Sequence, residues 1–333
     1  MDLIFERARK YSSKIVLPEP EDERILKAAV KASKLGIAKP ILIGLEKAIF
    51  EKARDLGLDI STVEIVEPDE KTLDRYAEEY LKIRGMPEKK KRVVLHIVKR
   101  SLYFGAMMVH LGEADGMVAG AVNTTANVIR AASLVIGLQE GISTPSSFFL
   151  MEIPGFEGGE DGNLLFADCA VNIDPSPDEL AEIAIATARS AKWLLDWEPR
   201  VAMLSFSTKG SASHELVDKV IKATNIARSK EPSLLIDGEL QADAALIPSV
   251  AKRKVKGGSP VAGRANILIF PDLNAGNIAY KLVQRLAKAN AYGPILQGFS
   301  RPVSDLSRGA TVEDIVGVIG IISVIAGSMS VKQ

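Results

Sequence analysis

Short apolar runs alternate with longer stretches of helical periodicity along most of the chain, and this alternation is what most limits its fold. Lys14-Ile-Val-Leu17 has the length and branching of a strand. Pro18-Glu-Pro-Glu-Asp-Glu23 follows as an exit loop, and Arg24–Leu35 then carries the i, i+3, i+4 apolar spacing of a helix closed by Gly36. Pro40–Gly44, Val63–Val66 and Gly116–Ala119 repeat the strand pattern. Further on, Ser147–Glu152 and Leu164–Asp168 read as an adjacent strand pair. Asp178–Leu194 is a long helix, and Val201–Leu204, Leu234–Asp237 and Ile267–Phe270 are further strands. Strands separated by helices build βαβ units, so the expected class is α/β with mostly parallel sheets. The length of 333 residues suggests two domains.

Composition excludes several functions. Forty-two basic residues balance 42 acidic ones, which leaves no basic excess for nucleic acid or a membrane surface. The run Lys89–Arg92 reads as a solvated helix start. The single cysteine, Cys169, forms no intrachain disulfide and sits in a strand-like setting, as a small buried hydrophobe rather than a nucleophile. His96, His110 and His214 show no ligand spacing, so no metal site is expected. No P-loop or GxGxxG fingerprint follows a strand. The N-terminus lacks an apolar core, and the apolar run Ile315–Ala326 is too short to span a bilayer. A cytoplasmic protein is expected.

In open α/β sheets ligands bind beyond the carboxyl ends of the strands, so the polar chemistry is sought in those loops. Gly120–Arg130 runs from a strand into a helix and offers hydroxyls, backbone N–H groups and Arg130. It has the makings of an anion site, or of a plain Thr cap. Ser205–Ser213 repeats the layout around Ser207, Thr208, Lys209 and Gly210. Phe270–Asn277 contributes Asn274 and Asn277. The segment SDLSRGATVED, 304–314, ends at an acid before a long apolar run. Thr311 and Asp314 have the spacing of a capping box, so Asp314 reads either as a helix cap or as a base. Together these loops point to an anionic, phosphate-bearing ligand.

Several segments resemble the phosphate acetyltransferases and their phosphate butyryltransferase relatives, over nearly the whole chain. The strongest are IVLPEPEDER (15–24), DGMVAGAVNTTANVIR (115–130), MLSFSTKGSASH (203–214), DGELQADAAL (237–246), SPVAGRANILIFPDLNAGNIAYKLVQRL (259–286) and GPILQGFSRPVSDLSRG (293–309). Departures include Pro20, Asn123, Arg264 and Ser300-Arg301, where the family often has Gly, His, Lys and Ala-Lys; they leave acyl-chain preference open. The resemblance implies reversible acetyl transfer between CoA and inorganic phosphate, without a bound cofactor or metal. It also implies two α/β domains like those of the isocitrate and isopropylmalate dehydrogenases, residues 1–143 with 296–333 and residues 144–295, with the active site in the cleft between them. A homodimer or larger homo-oligomer is implied as well.

By position the resemblance assigns Asp314 as base, Arg308 as phosphate-binding arginine and Ser307 as its neighbour. Arg130 and Arg84 would hold CoA or phosphate anions, and Thr125, Ser207, Lys209, Asn274 and Asn277 would line the substrate site. A carboxylate can take the proton of a thiol as it attacks; burial of Asp314 beside the apolar run would raise its pKa toward that task, and a neighbouring arginine would lower it. The alternatives are a phosphate butyryltransferase, a non-catalytic acetyl-CoA-sensing module, and a decarboxylating dehydrogenase. The last would need a nucleotide and a clustered-Asp metal site.

Overall fold

A computed structural model describes residues 1–331. The chain forms two compact units: Met1–Leu138 together with the segment from Phe299 onward, and Gln139–Gly298.

The first unit opens with α1 (Asp2–Tyr11), β1 (Lys14–Leu17), α2 (Glu23–Lys34), β2 (Lys39–Ile43), α3 (Glu46–Asp55), β3 (Glu64–Val66) and α4 (Glu70–Ile83). After a 3₁₀ turn come α5 (Lys91–Val98), α6 (Ser101–His110), β4 (Gly116–Val118) and α7 (Thr125–Val135). The second unit holds β5 (Ser146–Glu152), β6 (Asn163–Ala167), α8 (Pro177–Leu195), β7 (Arg200–Leu204), α9 (Glu215–Lys230) and β8 (Leu235–Leu240). It closes with α10 (Ala242–Leu246), α11 (Pro248–Lys254), β9 (Ile267–Ile269), α12 (Leu273–Leu286) and β10 (Asn290–Gln297). The chain returns to the first unit with β11 (Val303–Ser304) and α13 (Val312–Val331).

The first unit's sheet has the order β11-β4-β1-β2-β3, every pair parallel. Helices cover a parallel sheet on both faces, so its strands read as unbroken apolar runs. Ile15, Val16, Leu17, Ile41, Leu42, Met117 and Val118 are all buried. The chain moves outward from β1 through β2 to β3 and comes back on the other side of β1 as β4. The order therefore reverses between β1 and β4, where a doubly wound sheet opens a crevice at its carboxyl edge. The second unit's sheet runs β10-β5-β6-β9-β7-β8. Its pairs are parallel except β10–β5 and β5–β6, which are antiparallel. The core on one face of that sheet gathers Phe149, Met151, Phe166, Leu268 and Phe270.

α13 corrects one expectation. The apolar segment is a 20-residue helix, long and apolar enough to span a bilayer by length and composition, but its most apolar stretch is 83% buried inside the unit. A helix apolar on all sides belongs in an interior. Its glycines admit α1: the rings of Phe5 and Tyr11 lie where side chains at Gly320 and Gly327 would stand.

Candidate active site

Three loops leave adjacent strand ends of the first unit, and an acidic residue in the first of them organises the second. Glu19, two residues beyond β1, is fully buried. Its Oε2 accepts the N–H groups of Gly120 and Ala121, both at 2.8 Å. Its Oε1 accepts those of Val122 (3.2 Å) and Asn123 (2.7 Å) and the Asn123 side-chain amide (2.8 Å). Successive backbone N–H groups form an anion-binding concavity, and here the chain's own carboxylate fills it. The loop expected to offer these groups to a ligand is thus occupied from within.

Arg24, in the first turn of α2, ties the three loops together. Its guanidinium donates to the carbonyls of Arg308 (2.7 Å), Ala310 (2.9 Å) and Ala121 (3.4 Å). It is held from behind by Asp22, at 2.6 Å between Nη2 and Oδ2. That contact keeps the Asp22 carboxyl below its ordinary range and raises the arginine. One planar, always-charged group therefore sets the backbone of the 308–310 turn.

The third loop follows β11. Asp305 is 3% exposed. The Thr125 hydroxyl donates to its Oδ2 at 2.5 Å, while Oδ1 has no hydrogen-bond partner. Oδ1 occupies the space a side chain at position 120 would need; Gly120, at φ +109°, leaves it room. Burial pushes the Asp305 carboxyl up to about 6. The Thr125 hydroxyl, the Leu306 backbone and Arg308 oppose that shift, and Glu19 adds to it. Ser307 and Arg308 follow at once and are exposed.

Asp314 stands in the first turn of α13 and is exposed, so the burial invoked to raise its pKa falls on Asp305 instead. The capping box forms. Thr311 donates its N–H and its hydroxyl to Asp314 Oδ2, each at 2.8 Å, and its hydroxyl oxygen accepts the Asp314 N–H at 3.2 Å. Arg130 lies on α7 and Arg84 caps the end of α4; both are exposed. Thr125, expected to line the substrate site, donates its hydroxyl proton to Asp305.

In the second unit the Ser-Thr-Lys-Gly loop is filled from within in the same way. The buried Glu239 accepts the Ser207 hydroxyl (2.9 Å) and the Gly210 N–H (2.7 Å). Lys209 Nζ reaches Asp237 Oδ1 at 2.5 Å and the Gly238 carbonyl at 2.8 Å. Burial alone would raise Asp237, but Lys209, Ser259 and the Gly238 N–H outweigh it and hold the carboxyl below its ordinary range. Asn277 donates to the Cys169 carbonyl, and Asn274 is exposed. Cys169 is buried, and burial raises its thiol well above the ordinary value. No cluster of three or more His, Cys, Asp or Glu suited to a metal ion occurs among the described residues.

Sequence reasoning missed Glu19, Arg24 and Asp305. The available signal was an acid placed at or just beyond the end of a buried strand, in Leu17-Pro-Glu19 and Ser304-Asp305. Such an acid needs donors, and only a neighbouring loop can supply them.

Comparison with known proteins gives a consistent result. The family model for phosphate acetyl/butaryl transferase matches residues 1–323. A phosphate acetyltransferase of Thermoanaerobacterium thermosaccharolyticum is 54% identical over 321 residues, covering 95% of this chain and 96% of that one. One from Clostridium acetobutylicum is 50% identical, covering 96% and 97%. The crystal structure of a phosphotransacetylase from Streptococcus pyogenes superposes with a TM-score of 0.90 at 41% identity, over 98% of each chain.

Proposed function

The chain belongs to the phosphate acetyl/butaryl transferase family, and from that premise we propose that it transfers an acetyl group reversibly between CoA and inorganic phosphate. The observation that carries this reading is the end-to-end similarity to phosphate acetyltransferases. It is supported locally by Ser307 and Arg308, exposed on a turn that Arg24 holds by its carbonyls.

In the proposed reaction the CoA sulfur attacks the carbonyl carbon of acetyl phosphate. A C–S bond forms, the acyl C–O bond between the acetyl carbon and the bridging oxygen breaks, and phosphate departs with that oxygen and the bonding pair. The thiol proton passes to Asp314, a general-base role, and from there to solvent or the departing phosphate. Arg308 presents a two-pronged donor suited to phosphate oxygens. The Ser307 hydroxyl donates to the oxyanion that develops on the acetyl oxygen, a contact worth on the order of 3 kcal/mol in comparable sites. Arg130 and Arg84 take the remaining phosphates of CoA. In the second unit, Ser207, Lys209, Asn274 and Asn277 keep a substrate-binding role in the proposal, with Ser207 and Lys209 acting through the loop backbone they brace. The proposal includes a cytoplasmic homo-oligomer whose partners are these small molecules.

The test is thiol release from acetyl-CoA with and without inorganic phosphate, in chelated buffer. Phosphate-dependent release is expected; release independent of phosphate, or none, refutes the reaction. Because the family model spans both acyl chains, butyryl-CoA is run beside acetyl-CoA, and a preference for the longer chain would replace the acetyl reading.

A further inference from the structure

Asp305 and Thr125 form a pair whose chemistry none of the proposed steps uses. The inference drawn from it rests on the acetyl-transfer reading. Thr125 is the first residue of α7 and partly exposed; Asp305 is buried behind it. A hydroxyl has one proton to give and two lone pairs to offer. While Asp305 is a carboxylate, it accepts that proton at 2.5 Å. What Thr125 Oγ1 has left to offer is then lone pairs only. It can receive a proton-donating group and cannot bind a bare anionic oxygen.

Protonation of Asp305 reverses this. No hydrogen-bond partner reaches Oδ1, whereas Oδ2 already lies 2.5 Å from Thr125 Oγ1 and is the oxygen at which a proton finds an acceptor. A proton on Oδ2 faces Thr125 Oγ1 directly. The acid would donate to the threonine, and the threonine's own proton would turn outward. The charged groups around Asp305 are Glu19 from the loop after β1, held in its nest, and Arg308 from its own loop. The Arg24–Asp22 pair sits beside the same loops.

We propose that Asp305 is a positioning residue that acts through Thr125, turning that hydroxyl into an acceptor for a protic group of the substrate. The substrates of the proposed reaction carry two such groups, the thiol of CoA and the P–OH of hydrogen phosphate.

The experiment measures kcat and KM for phosphate and for CoA from pH 5 to 8.5 in the wild type, Asp305→Asn, Thr125→Ser and Thr125→Val. The wild type shows an acid limb with a midpoint near 6. Asp305→Asn loses that limb, because nothing in the pair titrates. Thr125→Ser retains it. Thr125→Val raises the KM of one substrate roughly five- to twentyfold with a smaller change in kcat; whether that substrate is phosphate or CoA identifies the protic group. An unchanged acid limb in folded Asp305→Asn, or unchanged KM values in Thr125→Val, overturns the proposal.

A readout independent of turnover is the ¹³C-carboxyl titration of aspartate-labelled protein. One carboxyl should titrate near 6, vanish in Asp305→Asn and move upward in Thr125→Val, where the carboxylate loses its hydroxyl donor. A Thr125→Val variant that leaves that titration in place refutes the pair. If the wild type shows no turnover, the proposed reaction falls, while this titration still decides the pair.

Discussion

Replacing Glu19 by glutamine keeps the shape of the side chain and removes one acceptor oxygen from a buried nest. Five N–H groups point at the Glu19 carboxylate, two at Oε2 and three at Oε1, from 2.7 to 3.2 Å. Glutamine has one oxygen and one NH₂ group. Whichever way the amide turns, at least two backbone N–H groups face another donor. An unsatisfied buried polar group costs about 1–3 kcal/mol, so two cost roughly 2–6 kcal/mol. Removing one member of a buried charged arrangement costs about 3–5 kcal/mol, the same range. A loss near 4 kcal/mol lowers the melting temperature of a unit this size by roughly 8–16 °C. Calorimetry measures the shift, and amide exchange at Gly120–Asn123 localises it. The second unit's transition should stay in place. Glu19→Ala adds a sharper control: it empties the nest, and acetate or phosphate at high millimolar concentration should restore part of the lost stability by binding there. A glutamine variant with the wild-type melting temperature and wild-type protection at Gly120–Asn123 would refute this account of the nest.

Three further predictions concern the same loops. Asp314→Asn retains an oxygen for the Thr311 donors, so stability changes by no more than about 1 kcal/mol while turnover falls by about 100-fold or more; near-normal turnover in the folded variant removes Asp314 as the base. Arg308→Lys leaves the backbone carbonyl at position 308 with Arg24 and so leaves the melting temperature unchanged, yet removes the two-pronged donor proposed to hold phosphate; steady-state kinetics should show at least a tenfold loss, on the order of 1.4 kcal/mol, and full activity contradicts the fork. Asp305 has a folded pKa of about 6 against an ordinary 3.8. The native state thus holds a proton that the unfolded chain has released between those values, and stability falls as pH rises through that window, by about 3 kcal/mol when ionisation is complete. Urea unfolding should find Asp305→Asn more stable than the wild type at pH 8 by up to that amount and similar at pH 4; equal stability at both pH values would show that burial does not penalise this carboxylate.

Which parts of this architecture were legible in the sequence follows from how each part is stabilised. The central strands β1, β2, β4 and β7 are buried on both faces, and that burial writes itself as runs such as Lys14-Ile-Val-Leu17. β10 and β11 were not recognised as strands. β10 contains Gly293-Pro294 and pairs antiparallel at the sheet edge, with an irregularity between Tyr292 and Ile295. β11 is two residues long and takes its place by pairing with β4. The strand–turn–helix loops after β4, β7 and β9 were legible because such junctions have a local signature. Their contents were not, because the partner that fills each loop comes from elsewhere in the chain. Glu19 lies 101 positions before Gly120, and Asp305 lies 180 positions after Thr125. In the second unit Asp168 does the same work more locally, accepting from Ala170, Val171 and Asn172, and Glu239 fills the turn at Ser207 and Gly210. Acids at the carboxyl ends of buried strands are thus a recurrent device of this chain: they consume the backbone donors of the loops and fix those loops in place. The positive charge left exposed around the first unit's strand ends then comes from side chains, Arg308 and Arg130 among them. In the proposed reaction, recognition of an anion therefore falls to guanidinium groups, because internal carboxylates already hold the backbone donors of the loops.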